Sequence, residues 1–179
     1  MTGTAFDSIP YDRLHRFELL GGECIEIPSP TPEHQGIIGN LLFSLDRYLD
    51  SENIGAVYAS IEYVFGENTR LRPDLSIILG DDWRNLDVDR IPVPRPPAIA
   101  IEVLSPSERT RYSTDKVGIY LPQVQEVWQL ITEEREILVH KPSAELAILG
   151  EDDELRSPLL QSWSFSVKQV FDTRKAATQ

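Results

Sequence analysis

The chain has 179 residues, of which 41% are hydrophobic and 26% charged, as is typical of a globular protein with a real core. Its amino terminus has no apolar segment of the kind found in secretory signals, and no apolar run is long enough to span a bilayer. Cys24 is the only cysteine, which excludes an intrachain disulfide. We therefore expect a cytoplasmic protein without a membrane partner. The composition predicts a single domain over residues 1–179, with its core at about 10–172 and a loose carboxyl-terminal tail.

The net charge of −12 limits which partners the chain can bind. Strongly acidic proteins repel nucleic acid and anionic membranes at long range, because these also carry negative charge. A nucleic-acid partner therefore requires a local basic surface.

The amino-terminal third predicts a hairpin followed by a long helix. Residues 11–20 are expected to form a short helix that leads into a strand, and the Gly21-Gly22 pair marks the turn to the next strand. Thr31 and Pro32 have the residue types of a helix cap and first position, and apolar residues then recur at helical spacing over residues 32–51. His34 lies on the same face, where it is either a core histidine or a site residue.

Two strands are predicted next, at residues 57–65 and 71–79. Glu62 should lie on the solvent side of the first strand, and Asp74 near the start of the second. Residues 80–97 are rich in proline and charge, which indicates a long connecting loop.

The central stretch carries the clearest chemical signal. Residues 98–104 are apolar on both alternating faces except for Glu102, which predicts a buried strand with a carboxylate in it. Burying an unpaired charge is costly, so Glu102 needs a partner. A helix follows, in which Lys116 and Tyr120 share one face.

The remaining pattern predicts strands at residues 124–132, 135–141 and 146–149, and a short helix at 165–171. Helices and strands thus alternate in a mixed order. We expect an α/β protein with one sheet covered by helices.

Asp74 and Glu102 could together bind a hard cation such as Mg²⁺ or Mn²⁺, which prefers oxygen ligands. The backbone carbonyl of Val103 is a further candidate ligand, and Lys116 could act on an attacking water or on phosphate charge. Each residue also has a structural alternative. Asp74 could be a cap, Lys116 a solvated lysine, and Glu102 with Lys116 a structural ion pair.

Several segments together resemble one bacterial family. These are RPDLSIIL, PAIAIEVLSPS, a helix with K-x-x-x-Y, and EVWQLI, preceded by FELLGGECIEI and PEHQGIIGNLL. They resemble the Uma-two family of PD-(D/E)XK nuclease-like proteins over roughly residues 10–172. The resemblance implies a restriction-endonuclease-like mixed β-sheet flanked by helices, and a magnesium-dependent endonuclease acting on DNA.

Carried over to this sequence, the resemblance makes Asp74, Glu102 and Lys116 the catalytic residues, with His34 and Tyr120 as accessory residues. The wider superfamily has its lysine two positions after the glutamate, where this chain has Leu104. The Uma-two family instead places the lysine on the following helix, and Lys116 matches that position. The family commonly has an aspartate one turn earlier, where this chain has Tyr112, and Asp115 lies about 100° around the helix from Lys116.

Two functions remain open. The chain is either a metal-dependent DNA endonuclease or a non-catalytic interaction protein that keeps the fold. The predicted site is flanked by arginines. They form either a basic surface around the site of an otherwise acidic protein, or a surface whose charge is neutralised by nearby aspartates. The arginines are Arg70, Arg72, Arg84, Arg90, Arg95, Arg109 and Arg111, and the aspartates are Asp81, Asp82, Asp87 and Asp89. A homodimer is one assembly that the sequence leaves open.

Overall fold

The structure is a computed structural model that describes residues 1–10, 16–104 and 111–173, without the side chains of 111–115. The helices are α1 (Gly3–Asp7), α2 (Pro32–Glu52), α3 (Gly80–Arg84), α4 (Arg111–Tyr120) and α5 (Val167–Phe171). The strands are β1 (Arg16–Leu20), β2 (Glu23–Ile27), β3 (Gly55–Ala59), β4 (Tyr63–Gly66), β5 (Thr69–Leu71), β6 (Leu75–Leu79), β7 (Ile99–Leu104), β8 (Glu126–Ile131), β9 (Glu136–His140), β10 (Leu146–Leu149), β11 (Glu154–Arg156) and β12 (Ser164–Ser166).

The strands form a six-stranded sheet in the order β10-β9-β8-β7-β6-β3, a four-stranded sheet in the order β2-β1-β5-β4, and the pair β11-β12. β7 and β8 are parallel and are joined through α4, whereas the other neighbours in the large sheet are antiparallel. Every residue of β7 and β8 is buried, because these strands lie at the centre of the sheet. The α/β class with a mixed sheet and flanking helices is therefore confirmed, with a second sheet that the sequence did not predict.

The large sheet has one apolar cluster on each face. Ile99, Ile101 and Val103 of β7 belong to the cluster that contains the apolar stripe of α2. Ala100 belongs to the other cluster, with Tyr120 of α4 and apolar residues of the four-stranded sheet. Since side chains alternate along a strand, Glu102 is on the same face as Ala100, towards α4.

The helix predicted at residues 32–51 is confirmed as α2. The side chain of Thr31 accepts a hydrogen bond from the His34 N–H at 3.2 Å, which satisfies one unpaired donor of the first turn. The helix ends at Asn53, whose φ of 52° is the left-handed conformation that often closes a helix. This capping fixes His34 in the first turn, at the end of the buried stripe.

Both strands predicted after α2 are interrupted. The segment 57–65 divides into β3 and β4, which belong to different sheets, and the break includes Ser60 at a φ of 54°. The segment 71–79 divides into β5 and β6 around Arg72-Pro73-Asp74. Pro73 has no N–H to donate to a ladder, so it fits this break. Asp74 therefore lies immediately before β6 and not on it.

The prediction that Glu62 faces solvent is wrong. Its side chain is 9% exposed, and its Oε2 accepts a hydrogen bond from the Arg72 guanidinium at 3.2 Å. Periodicity placed it on the outer side of one strand, but the chain leaves that strand before Glu62. The loop predicted at 80–97 also contains the short helix α3.

The carboxyl-terminal strands are confirmed as β8, β9 and β10, and the final helix is α5, which begins two residues later than predicted, after β12. The helix predicted before β1 falls at residues 11–15, outside the described residues, as does the tail at 174–179. Among the described residues, no helix combines the length and the apolar character needed to cross a membrane.

Candidate active site

Glu102 is a buried carboxylate at the centre of the molecule, 6% exposed. Its Oε1 accepts hydrogen bonds from Lys116 Nζ at 2.9 Å and from the Tyr120 hydroxyl at 2.6 Å. Lys116 and Tyr120 are one turn apart on α4, so the predicted i,i+4 face is the face that covers Glu102. The sequence prediction that Glu102 needs a partner is confirmed by these two contacts.

Asp74 lies where the pairing of β6 with β7 ends. Leu75 is paired with Ile101, and continuing this register by one step would place Asp74 opposite Glu102. Asp74 instead accepts the Val103 N–H on its Oδ2 at 2.8 Å. A carboxylate thus replaces the next backbone partner of β7, which fixes Asp74 at the sheet end beside Glu102.

Lys116 is held between two carboxylates. Its Nζ lies 2.9 Å from Glu102 Oε1 and 2.9 Å from Glu18 Oε2, and its side chain is only 8% exposed. A lysine buried to this extent is not the solvated lysine of an amphipathic helix. That structural alternative for Lys116 is therefore wrong, whereas the ion pair with Glu102 is present.

Glu18 is the site residue that the sequence interpretation missed. It lies on β1, is 1% exposed, and also accepts the Arg72 backbone N–H at 2.7 Å. The available signal was the one used for Glu102, a carboxylate within an apolar strand, here in the segment RFELL. Glu18 joins the four-stranded sheet to the large sheet through Lys116.

The electrostatics of the cluster are unbalanced. Glu18, Asp74 and Glu102 supply three carboxylates near the single ammonium of Lys116. Burial raises the pKa of Glu102 to about 7, with further upward contributions from Asp74 and Glu18 that oppose the lowering by Lys116 and Tyr120. The close contact with Lys116 does not prevent the rise, because that ammonium is shared with Glu18 and desolvation is the larger effect.

His34 reaches the same cluster from α2. Its Nε2 lies 3.3 Å from Asp74 Oδ2, and its side chain is 8% exposed. The position in the first turn of α2 also brings the positive end of the helix dipole near Asp74. Both interpretations of His34 therefore hold geometrically: it ends the core stripe, and it contacts the predicted site.

A cavity of about 290 Å³ is lined by Glu18, His34, Asp74, Glu102 and Lys116. Besides the charged groups, the cavity has apolar lining residues from β2 and from the segment before α2. These are Ile25, Ile27, Pro28 and Pro30. A cavity that combines a few convergent polar groups with apolar walls is the usual form of a ligand or active site.

The donor set fits a cation with few protein ligands. Within the described residues, no three side chains of His, Cys, Asp or Glu are arranged as a metal site. In the same residues, neither Asp74 Oδ1 nor Glu102 Oε2 accepts a hydrogen bond. The excess of buried negative charge would be offset by a divalent cation. Two carboxylates and a carbonyl suit Mg²⁺, which usually keeps several waters.

The flanking arginines are mostly neutralised. Arg70 donates two hydrogen bonds to Asp7, while Arg84 and Arg95 in the long loop contact Asp81 and Asp82. In the loop at residues 80–97, the charges of Arg84 and Arg95 are thus neutralised by aspartates of the same loop, as in the second alternative given above. Arg109 and the side chains of Arg111, Tyr112 and Asp115 lie outside the described residues.

Comparison with known proteins gives a family and a fold. The model of the family Uma2, described as "Putative restriction endonuclease", matches residues 4–168. A crystal structure described as "a putative nuclease belonging to DUF820", from Anabaena variabilis, has a TM-score of 0.84 at 20% identity, covering 97% of this chain and 98% of that chain. No curated protein matches the chain.

Proposed function

The chain belongs to the Uma2 family, and from that premise and the buried cluster we propose that it is a metal-dependent endonuclease that hydrolyses DNA phosphodiester bonds. The observation that carries the proposal is the convergence of Asp74, Glu102 and Lys116 in one cavity. The three residues come from a loop, a strand and a helix that are distant in the sequence. Their meeting supports the site that the resemblance implies.

Asp74, Glu102 and the Val103 carbonyl would hold the Mg²⁺ ion. In a strand, the N–H and the C=O of one residue point to the same side, so the Val103 carbonyl shares the side on which its N–H meets Asp74. When bound, the ion supplies Lewis acidity for water and phosphate and offsets negative charge. Tyr120 and Lys116 both donate to Glu102 Oε1 and thereby orient this carboxylate.

Lys116 acts on the reacting phosphate in this proposal. Hydrolysis adds water across one P–O bond, and negative charge develops on the phosphate oxygens in the transition state. Glu18 and Glu102 fix the ammonium from two sides, so its position requires little reorganisation during the reaction. Glu18 is thus a positioning residue for Lys116.

One observation favours the second candidate function, a non-catalytic interaction protein. The contacts of Lys116 with Glu18 and Glu102 are also those of a buried structural ion pair, and the net charge of −12 opposes DNA binding. In that case the cluster holds the two sheets together without any chemistry.

A cleavage assay on Lys116 distinguishes the two functions. Lys116→Arg keeps a cation between the two carboxylates and should preserve the fold, but the guanidinium is larger and planar. We expect Lys116→Arg and Lys116→Ala to lose on the order of a hundredfold to a thousandfold in magnesium-dependent cleavage of plasmid or single-stranded DNA at low salt. Mn²⁺ binding, measured by calorimetry, should be nearly unchanged in Lys116→Arg. Lys168→Ala, at an exposed lysine, is the matched control.

Two outcomes would count against the proposal. If the wild type cuts neither substrate with Mg²⁺ or Mn²⁺, the interaction protein becomes the better function. If the wild type cuts and both Lys116 variants cut equally well, the role of the lysine is wrong. Melting temperatures of all variants separate loss of chemistry from loss of fold.

A further inference from the structure

A second cavity, of about 200 Å³, lies beside the first. The two cavities share two lining residues, Arg16 and Arg72. Arg16 begins β1 and Arg72 lies in the break before β6, so both sheets contribute to this boundary. A molecule that occupies the candidate active site and extends into the second cavity would therefore contact both arginines.

Arg72 retains donor capacity at this boundary. One of its terminal nitrogens donates to Glu62, but its Nε is buried and has no hydrogen-bond partner among the described residues. Because this Nε is enclosed, a phosphate in the cavity would meet the terminal nitrogens of the guanidinium and not Nε. A phosphate oxygen is the acceptor that a guanidinium binds best, because its donors match the phosphate geometry.

Arg16 adds a second positive charge at this boundary. It is exposed, and within the described residues it makes no ion pair, unlike Arg70, Arg84 and Arg95. Arg72 is two residues before Asp74, and two residues of extended chain span at most about 7 Å. The backbone of Arg72 therefore lies within about 7 Å of that of Asp74, the proposed metal ligand.

The second cavity continues with apolar surface. Its apolar lining residues are Phe6, Ile9, Pro10, Phe17, Ile91 and Pro92. Two carboxylates also line it, Asp7 and Glu62, and they pair with Arg70 and Arg72. Charge at the boundary and apolar surface beyond it match a nucleotide, which has an anionic backbone and a base with a flat apolar face. The first cavity also has both charged and apolar lining residues.

The size of the first cavity indicates whether the DNA is bound as a single strand or as a duplex. Lys116 and Glu102 are each less than 10% exposed, so a reacting phosphate has to enter the cavity to reach them. A volume of about 290 Å³ is near the lower limit of small-molecule pockets and suits one nucleotide. A duplex, in which each nucleotide is paired and stacked on its neighbours, does not enter a space of this size. Enzymes that act on a buried nucleotide take it out of the stack.

We propose that Arg16 and Arg72 form a second phosphate subsite, which binds the backbone phosphate next to the reacting one on a single-stranded DNA segment whose neighbouring nucleotide occupies the second cavity. This inference rests on the proposed nuclease function and names its substrate class and its binding path. Because the protein is acidic and makes few phosphate contacts, its binding of DNA is weak and limited to short segments.

Binding of a fluorescein-labelled single-stranded DNA of about eight nucleotides, measured by anisotropy in Ca²⁺, tests the subsite. A gel run afterwards confirms that the oligonucleotide is intact. Arg16→Gln removes no contact within the described part of the protein, and it should weaken binding about three- to tenfold at low salt. It should also reduce the slope of log Kd against log salt by about 0.7, the value for one phosphate contact on a single strand.

Two variants and one substrate complete the test. Arg72→Lys keeps a cation beside Glu62 and therefore the fold, but it lacks the guanidinium donors, so affinity should fall while the salt slope stays. Arg156→Gln changes the charge equally at an exposed position outside both cavities, and it should bind as the wild type does. A duplex of the same sequence should bind at least tenfold more weakly than the single strand.

The inference is overturned if Arg16→Gln and Arg72→Lys bind like Arg156→Gln, or if the duplex binds as tightly as the single strand. Cleavage by the same wild-type preparation separates this failure from failure of the proposed function. Normal cleavage with arginine-independent binding removes only the subsite. Arginine-dependent binding without any cleavage removes the nuclease function and supports the subsite.

Discussion

Replacing Glu102 by glutamine should stabilise the metal-free protein at alkaline pH. Glu102 is buried, shares the ammonium of Lys116 with Glu18, and lies near the charge of Asp74. Glu102→Gln keeps the shape and keeps an oxygen that can accept from Tyr120, but removes one negative charge. Lys116 retains Glu18 as its partner, so the substitution does not leave the ammonium unpaired.

The magnitude follows from the pKa of Glu102, which burial raises from 4.5 to about 7. Below pH 4.5 the group is protonated in both states, and as pH rises to 7 the unfolded chain releases the proton first, so the folded state loses stability. At about 1.4 kcal/mol per pKa unit, the charged form costs the fold about 3 kcal/mol at pH 8. Removing the charge would recover this free energy of unfolding, but the buried glutamine NH₂ group has no good acceptor, which costs about 1–2 kcal/mol.

The net gain of about 1–2 kcal/mol corresponds to a rise in Tm of about 3–6 °C for a chain of this size. Thermal unfolding in EDTA should show this rise at pH 8 and none at pH 5, where wild-type Glu102 is already protonated. Glu145→Gln, at an exposed residue, controls for the change in net charge. A loss of several degrees at both pH values would refute the reasoning. It would mean that the ion pair with Lys116 stabilises the fold, because removing one partner of such a pair costs about 3–5 kcal/mol.

Two further predictions concern the metal. Calorimetric titration with Mn²⁺ should show weak binding by the wild type and by the control Asp46→Ala. Binding should be at least tenfold weaker in Asp74→Ala and Glu102→Ala, since these two carboxylates would be the main ligands in the proposed site. Equal affinity in all four proteins would remove the site. Because protons compete for Glu102, whose pKa is raised by burial to about 7, the affinity for Mn²⁺ should increase about tenfold from pH 6 to pH 8. An affinity that does not change with pH would contradict the assignment of Glu102 as a ligand.

The elements that the sequence predicted well are those in which local pattern and burial agree. The cap at Thr31, the stripe of α2 and the all-apolar strand β7 are set by residues close together in the chain. Glu102 was recognisable for the same reason, because one carboxylate in an apolar strand contradicts its own surroundings. The family segments then related it to Asp74 and Lys116.

Periodicity could not show where a strand changes sheets. The breaks after β3 and after β5 are set by the pairing of β4 and β5 with a second sheet, a contact between distant parts of the chain. Glu62 was misplaced for this reason, because the β4–β5 register, with Tyr63 opposite Leu71, sets it opposite Arg72, with which it pairs.

By itself, the sequence determined which residues are candidates for the chemistry, because carboxylates and a lysine within apolar segments stand out against the local pattern. The tertiary structure alone decided that Glu18 shares Lys116 with Glu102, and that Arg16 and Arg72 line both cavities. These relations depend on distances between elements far apart in the chain. Such distances are fixed by how two sheets and two helices pack, and no spacing along the sequence encodes them.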